Sequence, residues 1–501
     1  MPDVAPSSFA NRVAAGAVWM GSARLLVRTI GLISTIVLAR LLVPDDFGLV
    51  ALASALLFVI ETLSDLRFEQ AIIAQRDTHD SDFDTAFTLN LIRGAVVALV
   101  IALIAYPYAL MMDDRRLTSL LLALAAVPLI AGVKNPAFVT YEKSMSYWRE
   151  FTLQLVHKLT TFVVTVTLAW LWRDYWALVA GIITGALIKV LGSYLMHPYR
   201  PRLGLAAWRR LAAFSSWLIA ANTINAVAQK FELFVLGAFL PVRTVGLYHV
   251  GSEVSAMATH EIALPIKRVL FPALSALKDE PVEQYRRFRQ SVQVITAITL
   301  PAGVGLALLA EPFVLLVLGE KWTAAVDVIR FLAPLGVVWA IAGLADTLVI
   351  SAGQTRLIFF RELLRTAILL PLYLVGAWLG GLQGVLIAAV FVAFSSMTIG
   401  LAMVRQYAGT PLFTPILDTW RSLLACICMA LAVGMLLPAT AASQGHLERL
   451  TAIAMATAVG IVIYTACHFL LWLVVGRPHG IESFMLDGIK TLRRRAAVKT
   501  S

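Results

Sequence analysis

Arg24 and Arg28 stand one helical turn apart inside a long apolar run. At 100° per residue they share a helix face with Gly21, Gly31 and Thr35. A charged side chain at the centre of a bilayer costs about 2.5–3.5 kcal/mol on insertion scales, so it turns toward protein or a wet cavity. A guanidinium also meets two oxygens of a phosphate at once, which makes it the natural partner of an oxyanion. A second polar face is formed by Asn222, Asn225, Gln229 and Glu232, with Lys230 about 80° around the helix from it. Arg24, Arg28, Asn222, Asn225, Gln229 and Lys230 are therefore the candidate substrate-binding residues. The competing reading is helix-to-helix pairing, in which arginine is locked to a carboxylate and amides bridge neighbouring helices.

Glu61 and Asp65 repeat the one-turn spacing, and Glu253 and His260 share a face with Glu261 nearby. Such groups could bind a proton or a coupling cation, and could equally neutralise the arginines; spacing leaves both readings open. Arg93, Lys158, Lys189 and Asp346 are further charges within apolar runs. Lys134 and Glu311 fall near run ends, where long side chains ordinarily reach for the interface.

The elements that must position these residues are apolar. Of 501 residues, 59% are hydrophobic and 14% charged, against about 45–50% apolar and about 25% charged in soluble domains. No soluble core hides that excess, but a bilayer does. Runs of spanning length cover 13–42, 47–73, 86–110, 117–139, 151–171, 175–196, 210–239, 244–275, 288–318, 324–351, 357–379, 382–404, 421–438 and 450–475. The expectation is an all-α integral membrane protein of about fourteen transmembrane helices. The first run exceeds the length of a cleaved signal's apolar core, so it is expected to remain in the mature chain.

The net charge of +11 would suggest nucleic acid in a soluble protein. Here the basic residues gather in alternate connections. With the N-terminus in the cytoplasm, Arg76, Lys143, Arg149, Arg200, Arg202, Arg209, Arg210, Lys267, Arg268, Lys278, Arg286, Arg287, Arg289, Arg356, Arg361 and Arg405 fall on the cytoplasmic side, as does a basic tail from Lys490 to Lys499. The opposite connections hold little beyond Arg115, Arg116, Arg173, Arg243, Lys321 and Arg449. This asymmetry places both termini of a multi-pass protein in the cytoplasm.

A gapless shift of 198 residues lays Trp19 on Trp217, Val37-Leu38 on Val235-Leu236, Gly48-Leu49 on Gly246-Leu247, and Arg24 on Asn222. A shift of 205 lays Ala105 and Pro107 on Ala310 and Pro312. Six helices separate the copies, so both insert in the same direction, as in parallel transporter repeats. The expected organisation is a six-helix lobe at 1–205, a second at 206–405, and two further helices with a basic tail at 406–501. Small-xxx-small pairs such as Gly181–Gly185 and Gly376–Gly380 read as packing devices.

Enzyme signatures are missing. No GxxxxGK[ST] loop, nucleophile elbow or metal-ligand cluster occurs, so ATP hydrolysis is not expected, and neither a cofactor nor a metal. Cys426, Cys428 and Cys467 sit singly within apolar runs and read as packing residues.

The segments "VLARLLVPDDFGLVALASALLFVIETLSDL" (37–66), "FPALSALKDE" (271–280) and "LPAGVGLALLAEPFVLLVLGEKWTAAVDVIRFLAP" (300–334) resemble the polysaccharide transporters of the multidrug/oligosaccharidyl-lipid/polysaccharide exporter superfamily, Wzx-type and colanic-acid-type lipopolysaccharide flippases in particular. The resemblance runs from about residue 10 to 405. It implies two lobes around a central cavity, in a bacterial inner membrane. It also implies alternating access to an undecaprenyl-diphosphate-linked oligosaccharide, with membrane lipids, a polysaccharide polymerase and glycosyltransferases as partners. "SDLRFEQAII" (64–73) departs from the glycine-rich run more usual in the family, so contacts there do not carry over. Three alternatives stand beside this reading, one of them a non-transporting scaffold, which two polar-lined lobes disfavour. A cation-coupled drug antiporter of the same superfamily would favour carboxylates over Arg24 and Arg28, and a polysaccharide polymerase or ligase would need a long external loop. Reporter fusions after Asp45, Asp114 and Gln444 are expected to read periplasmic, and those after Leu203 and Glu280 cytoplasmic. A cytoplasmic signal at Gln444 would overturn the last helix pair.

Overall fold

The computed structural model describes residues 26–65, 68–74, 78–144, 147–208, 216–442 and 446–476, and these are helical throughout apart from turns and connections. The chain divides into two compact units, 1–246 and 247–501. In the first lie α1 (26–41), α2 (Pro44–Ser64), α3 (Phe68–Ala74), α4 (Asp80–Met111), α5 (Arg116–Leu124), α6 (Ala126–Gly132), α7 (Thr140–Lys143), α8 (Tyr147–Trp172), α9 (Trp176–Met196) and α10 (Ser216–Phe239). Next comes α11 (Val242–Ser275), which starts at the end of that unit. The second unit continues with α12 (Pro281–Leu308), α13 (Ala325–Ser351), α14 (Thr355–Ala408), α15 (Trp420–Ala442) and α16 (His446–Val474).

Local chemistry fixes where the helices begin. Pro44 occupies the first turn of α2, where its missing N–H costs nothing. Asp46 Oδ2 accepts a hydrogen bond from the Val43 N–H at 3.0 Å. Asp82 does the same for His79 at the start of α4, also at 3.0 Å. Each acidic residue also complements the positive end of the helix dipole.

Among the described residues, eight helices are long and apolar enough to cross a membrane. Segments Arg116–Gly132 and Pro136–Lys143 meet at 66° and reach spanning length and hydropathy only together, in the form of a broken span or a re-entrant loop. The run 47–73 is not one helix: α2 stops at Ser64, and Asp65 is extended. The 54 residues of α14 would measure about 81 Å if straight, far beyond a hydrocarbon core of about 30 Å. Gly381 resolves this with φ 55° and ψ −132°, folding α14 into a hairpin between the two apolar runs read there. Its arms touch where Gly376 meets Gly384, whereas Gly380 has open space around it.

Outward faces are apolar. On α4, Val96, Leu99, Leu103, Tyr106 and Leu110 are all exposed, Leu103 by 68%. Trp170 and Trp172 crown the end of α8, in the manner of aromatic anchors at a membrane interface. In the second unit, Gln284 is fully buried and fastens three helices to α12. It donates to Leu274 O at 2.9 Å and Ser351 Oγ at 3.2 Å, and accepts from Tyr407 OH at 2.7 Å. Arg289 Nε meets Asp418 Oδ2 at 2.6 Å, and Tyr464 OH donates to Ala297 O at 2.8 Å, which ties the last helices to α12.

Residues matched by the 198-residue shift pack reciprocally. A Cβ on Gly48 would overlap the carbonyl of Val242, and one on Gly246 would overlap the carbonyl of Pro44. Both pairs obey the 198-residue shift, so equivalent helix starts cross backbone against backbone. Ala at either glycine forces α2 and α11 apart, and overpacking of this kind costs about 1–3 kcal/mol. Gly246→Ala is therefore expected to lower the yield of monodisperse protein extracted from membranes, while Gly380→Ala leaves it unchanged. Equal yields would show that the crossing tolerates a methyl group.

Candidate functional site

The site begins with the break between Gly132 and Pro136. Asn135, fully buried, occupies the break and satisfies the backbone there. Its N–H donates to Ser193 Oγ at 3.1 Å, its Nδ2 donates to Tyr199 O at 2.9 Å, and its Oδ1 accepts from Ala137 N at 3.1 Å. Irregular backbone at membrane depth persists only with such internal partners. The break releases Lys134 from α6, and its Nζ reaches Glu69 Oε1 on α3 at 2.8 Å.

That ion pair belongs to the walls of two adjoining cavities. The larger, about 430 Å³, is lined by Glu61, Asp65, Glu69, Arg93 and Lys134, with Gln70, Asn90 and the rings of Phe58 and Phe68. The smaller, about 210 Å³, shares Glu69 and Lys134 and adds Tyr141, Glu142, Glu150, Gln154 and Lys189. Glu61 has Arg93, Lys189 and Asp65 as its charged neighbours. Lys189 in turn neighbours Lys134, Glu61 and Lys158. Lys158 lies along α1, its ammonium 3.5 Å from where a Cβ on Gly31 would stand. Gly31 is one turn from Arg28 on the same face, and Arg28 is half-buried. Cations thus follow one another from Lys158 through Lys189 to Lys134, with carboxylates beside them, and Arg28 stands one turn along α1 from the Gly31 position that Lys158 meets.

Helix α10 reaches the same cavity. Lys230 Nζ lies 5.3 Å from the ring centroid of Phe58, which lines the larger cavity, within range of a cation–π attraction. The structure therefore puts Glu61 and Asp65 in one cavity wall, sets Lys230 over the ring of Phe58 in that wall, and lays Lys158 against Gly31, one turn from Arg28. Arg24 lies outside the described residues. Asn222, Asn225 and His260 lie in helices, with their side chains outside the described set. Gln229 is exposed on α10, and Glu253 is half-buried on α11, in the second unit.

Four residues gain a place that spacing did not give them. Lys158 and Lys189 read only as buried charges, Lys134 as an interface residue, and Glu69 was not singled out. The signal for Lys134 was available in Lys134-Asn135-Pro136, because a residue before proline is steered away from the helical region. A charge beside such a break in an apolar run is a charge released into the interior.

An ion-lined interior inside an apolar, multi-pass helical bundle defines a membrane transporter fold, and solved structures agree on it. The lipid II flippase MurJ in an inward closed conformation superposes with a TM-score of 0.70 at 12% identity, over 91% of this chain and 99% of that one. An inward-facing multidrug resistance MATE family transporter of the MOP superfamily gives 0.60 at 14% identity, over 76% and 94%. Residues 37–327 match the family described as polysaccharide biosynthesis protein, and the chain belongs to that family. It is similar to the lipopolysaccharide biosynthesis protein WzxC of Escherichia coli, at 25% identity over 82% of this chain and 85% of the relative. It is likewise similar to the succinoglycan biosynthesis transport protein ExoT of Rhizobium meliloti, at 24% identity over 92% of both.

If the cavities hold water, a cysteine placed in them reacts with a membrane-impermeant thiol reagent. With the native cysteines replaced, Glu69→Cys and Gln154→Cys are expected to label in opened membrane vesicles, and lipid-facing Leu103→Cys is not. Labelling at Leu103 alone would invert the assignment of inside and outside.

Proposed function

We propose that this protein translocates an undecaprenyl-diphosphate-linked oligosaccharide across a bacterial inner membrane, with both termini cytoplasmic and no chemical conversion of the cargo. The observation that carries the reading is the cation track of Lys158, Lys189 and Lys134 inside the first unit, with Arg28 one turn from the Gly31 position that Lys158 meets. A diphosphate is the cargo group that balances such charge, and guanidinium holds phosphate oxygens in pairs. Family membership supports the polysaccharide pathway, and the named relatives serve lipopolysaccharide and succinoglycan biosynthesis. In this reading the sugars cross along the polar cavity while the polyprenyl tail stays in lipid. Residues 1–205 and 206–405 act as the repeat-related lobes, Arg24 and the amides of α10 extend the binding surface, and glycosyltransferases and a polymerase work on either side of the step.

Glu61 and Asp65 are assigned as counter-ions of the cavity, because the cations around Glu61 are supplied by α4 and α9. Carboxylates facing Arg93 and Lys189 are poorly arranged to hold a further cation, which also weighs against a cation-coupled drug antiporter.

A hydrogen bond to a charged group contributes about 1.5–3 kcal/mol, so losing one lowers affinity roughly 10- to 100-fold. Arg28→Ala and Lys158→Ala are expected to cut glycan export strongly at normal membrane abundance. Arg28→Lys is expected to recover part of it, since the charge returns without the fork. Full export by the double alanine variant, normalised to protein in the membrane, would refute the binding role.

A further inference from the structure

Where α8 begins and α9 ends, the first unit sets two arginines on tyrosine rings, and neither arginine lines a cavity described above. The guanidinium carbon of Arg149 lies 4.2 Å from the Tyr141 ring centroid. That of Arg200, just past the end of α9, lies 5.5 Å from the Tyr194 centroid. Both are within cation–π range.

The rings are themselves anchored. Tyr141 OH donates to Met196 O at 2.7 Å, and Tyr194 OH to Val133 O at 2.9 Å. Arg200 Nη1 donates to His197 O at 2.9 Å and to Tyr199 O at 3.0 Å. His197 joins the two halves. Its ring meets that of Tyr141 edge-on at 5.3 Å, and its Nδ1 accepts from the Tyr199 N–H at 3.2 Å, so that nitrogen carries no proton. Burial, with Arg149 and Arg200 both close by, holds its pKa below the ordinary imidazole value.

Donor geometry defines what this cluster can hold. Fixing a surface arginine costs side-chain entropy, yet two are held here on rigid rings. Among the described residues their partners are rings and carbonyls rather than carboxylates. Glu150, next to Arg149, accepts instead from Gln154 Nε2 at 3.0 Å. Leu191 and Leu195, one turn apart on α9, are exposed, Leu195 by 87%, and so is Trp148 of α8. A lipid-facing surface thus runs up to the end of α9, where Arg200 stands, with a tryptophan at the same interface. A phospholipid fits both halves of this surface. Its phosphodiester carries two free oxygens for paired guanidinium N–H groups, and its acyl chains lie against leucine. A zwitterionic headgroup would bring an ammonium toward the arginines, so an anionic one is favoured.

We propose that Arg149 and Arg200 together hold the phosphodiester of an anionic glycerophospholipid, with its acyl chains along the outer face of α9. The site needs no cargo and does not rest on the transport reading.

The test adds phosphatidylglycerol to purified full-length protein in detergent and counts lipid adducts by native mass spectrometry. Phosphatidylcholine with the same chains is the zwitterionic control, and inorganic phosphate the free oxyanion. Phosphatidylglycerol is expected to bind saturably and at least tenfold more tightly than phosphatidylcholine. Arg149→Gln combined with Arg200→Gln removes the charged donors and should weaken it roughly tenfold or more. Arg286→Gln on α12 should not. Equal retention of the two lipids would overturn the site, and so would full phosphatidylglycerol binding by the double glutamine variant, which is what purely structural stacking predicts. Displacement by inorganic phosphate at equal concentration would overturn the lipid source. Should the glutamine variant fail to accumulate, Arg149→Lys with Arg200→Lys decides: the charge stays and the planar fork is lost, so affinity should fall, and an unchanged affinity would refute the geometry. Arg28→Ala with Lys158→Ala should leave this binding intact, and its loss there would move the lipid to the cavity and overturn the site.

Discussion

Moving a charge from water into hydrocarbon costs several kcal/mol even after relaxation, and this chain places many charges between its apolar helices. The arrangement of the interior follows from that cost. In the first unit Glu69 meets Lys134, and Glu61 has Arg93 and Lys189 beside it. In the second, Arg361 sits between Asp346 and Glu362. The bent segment obeys the same rule for backbone polarity, with Asn135 supplying partners where the helix stops. Apolar faces are then free to meet lipid, and the ionic groups gather where helices enclose space.

Counter-ions beside the cation track also have a consequence for transport. A cavity lined by cations alone would bind a diphosphate tightly and release it slowly. Under the proposed function, Glu61 and Glu69 would give Lys189 and Lys134 internal partners to return to when the phosphate leaves. On that proposal the cargo would exchange one set of ion pairs for another, and its binding energy would be kept moderate.

Close backbone approach supplies the complementary requirement, rigid helices at defined spacing. Without a hydrophobic force between helices in lipid, small residues that let backbones touch become the main packing device. Gly181 and Gly185 seat α9 on Thr165, Thr161 and His157 of α8. That contact fixes Lys189, one turn beyond Gly185, near Lys158 of α8. The glycines that pack the helices thus also set the register of the cations.

The sequence by itself determined the class of fold, because runs of apolar residues long enough to cross a bilayer need no partner to be recognised. It also marked the boundary between the two apolar runs that α14 joins, and it drew attention to Arg24, Arg28, Glu61 and Asp65 as charges within apolar runs. Periodicity reports which face of one helix is polar, and that is local information. What faces that polar side depends on residues far away in the chain. Lys158 reaches α1 from α8, and Lys134, beside a 66° bend in its own apolar run, finds Glu69 of α3. Spacing also misread the run 47–73, since Asp65 ends α2 and turns the chain before α3. Only the tertiary structure decided which charges are neighbours, because Coulomb energy depends on distances through space that no helical period encodes.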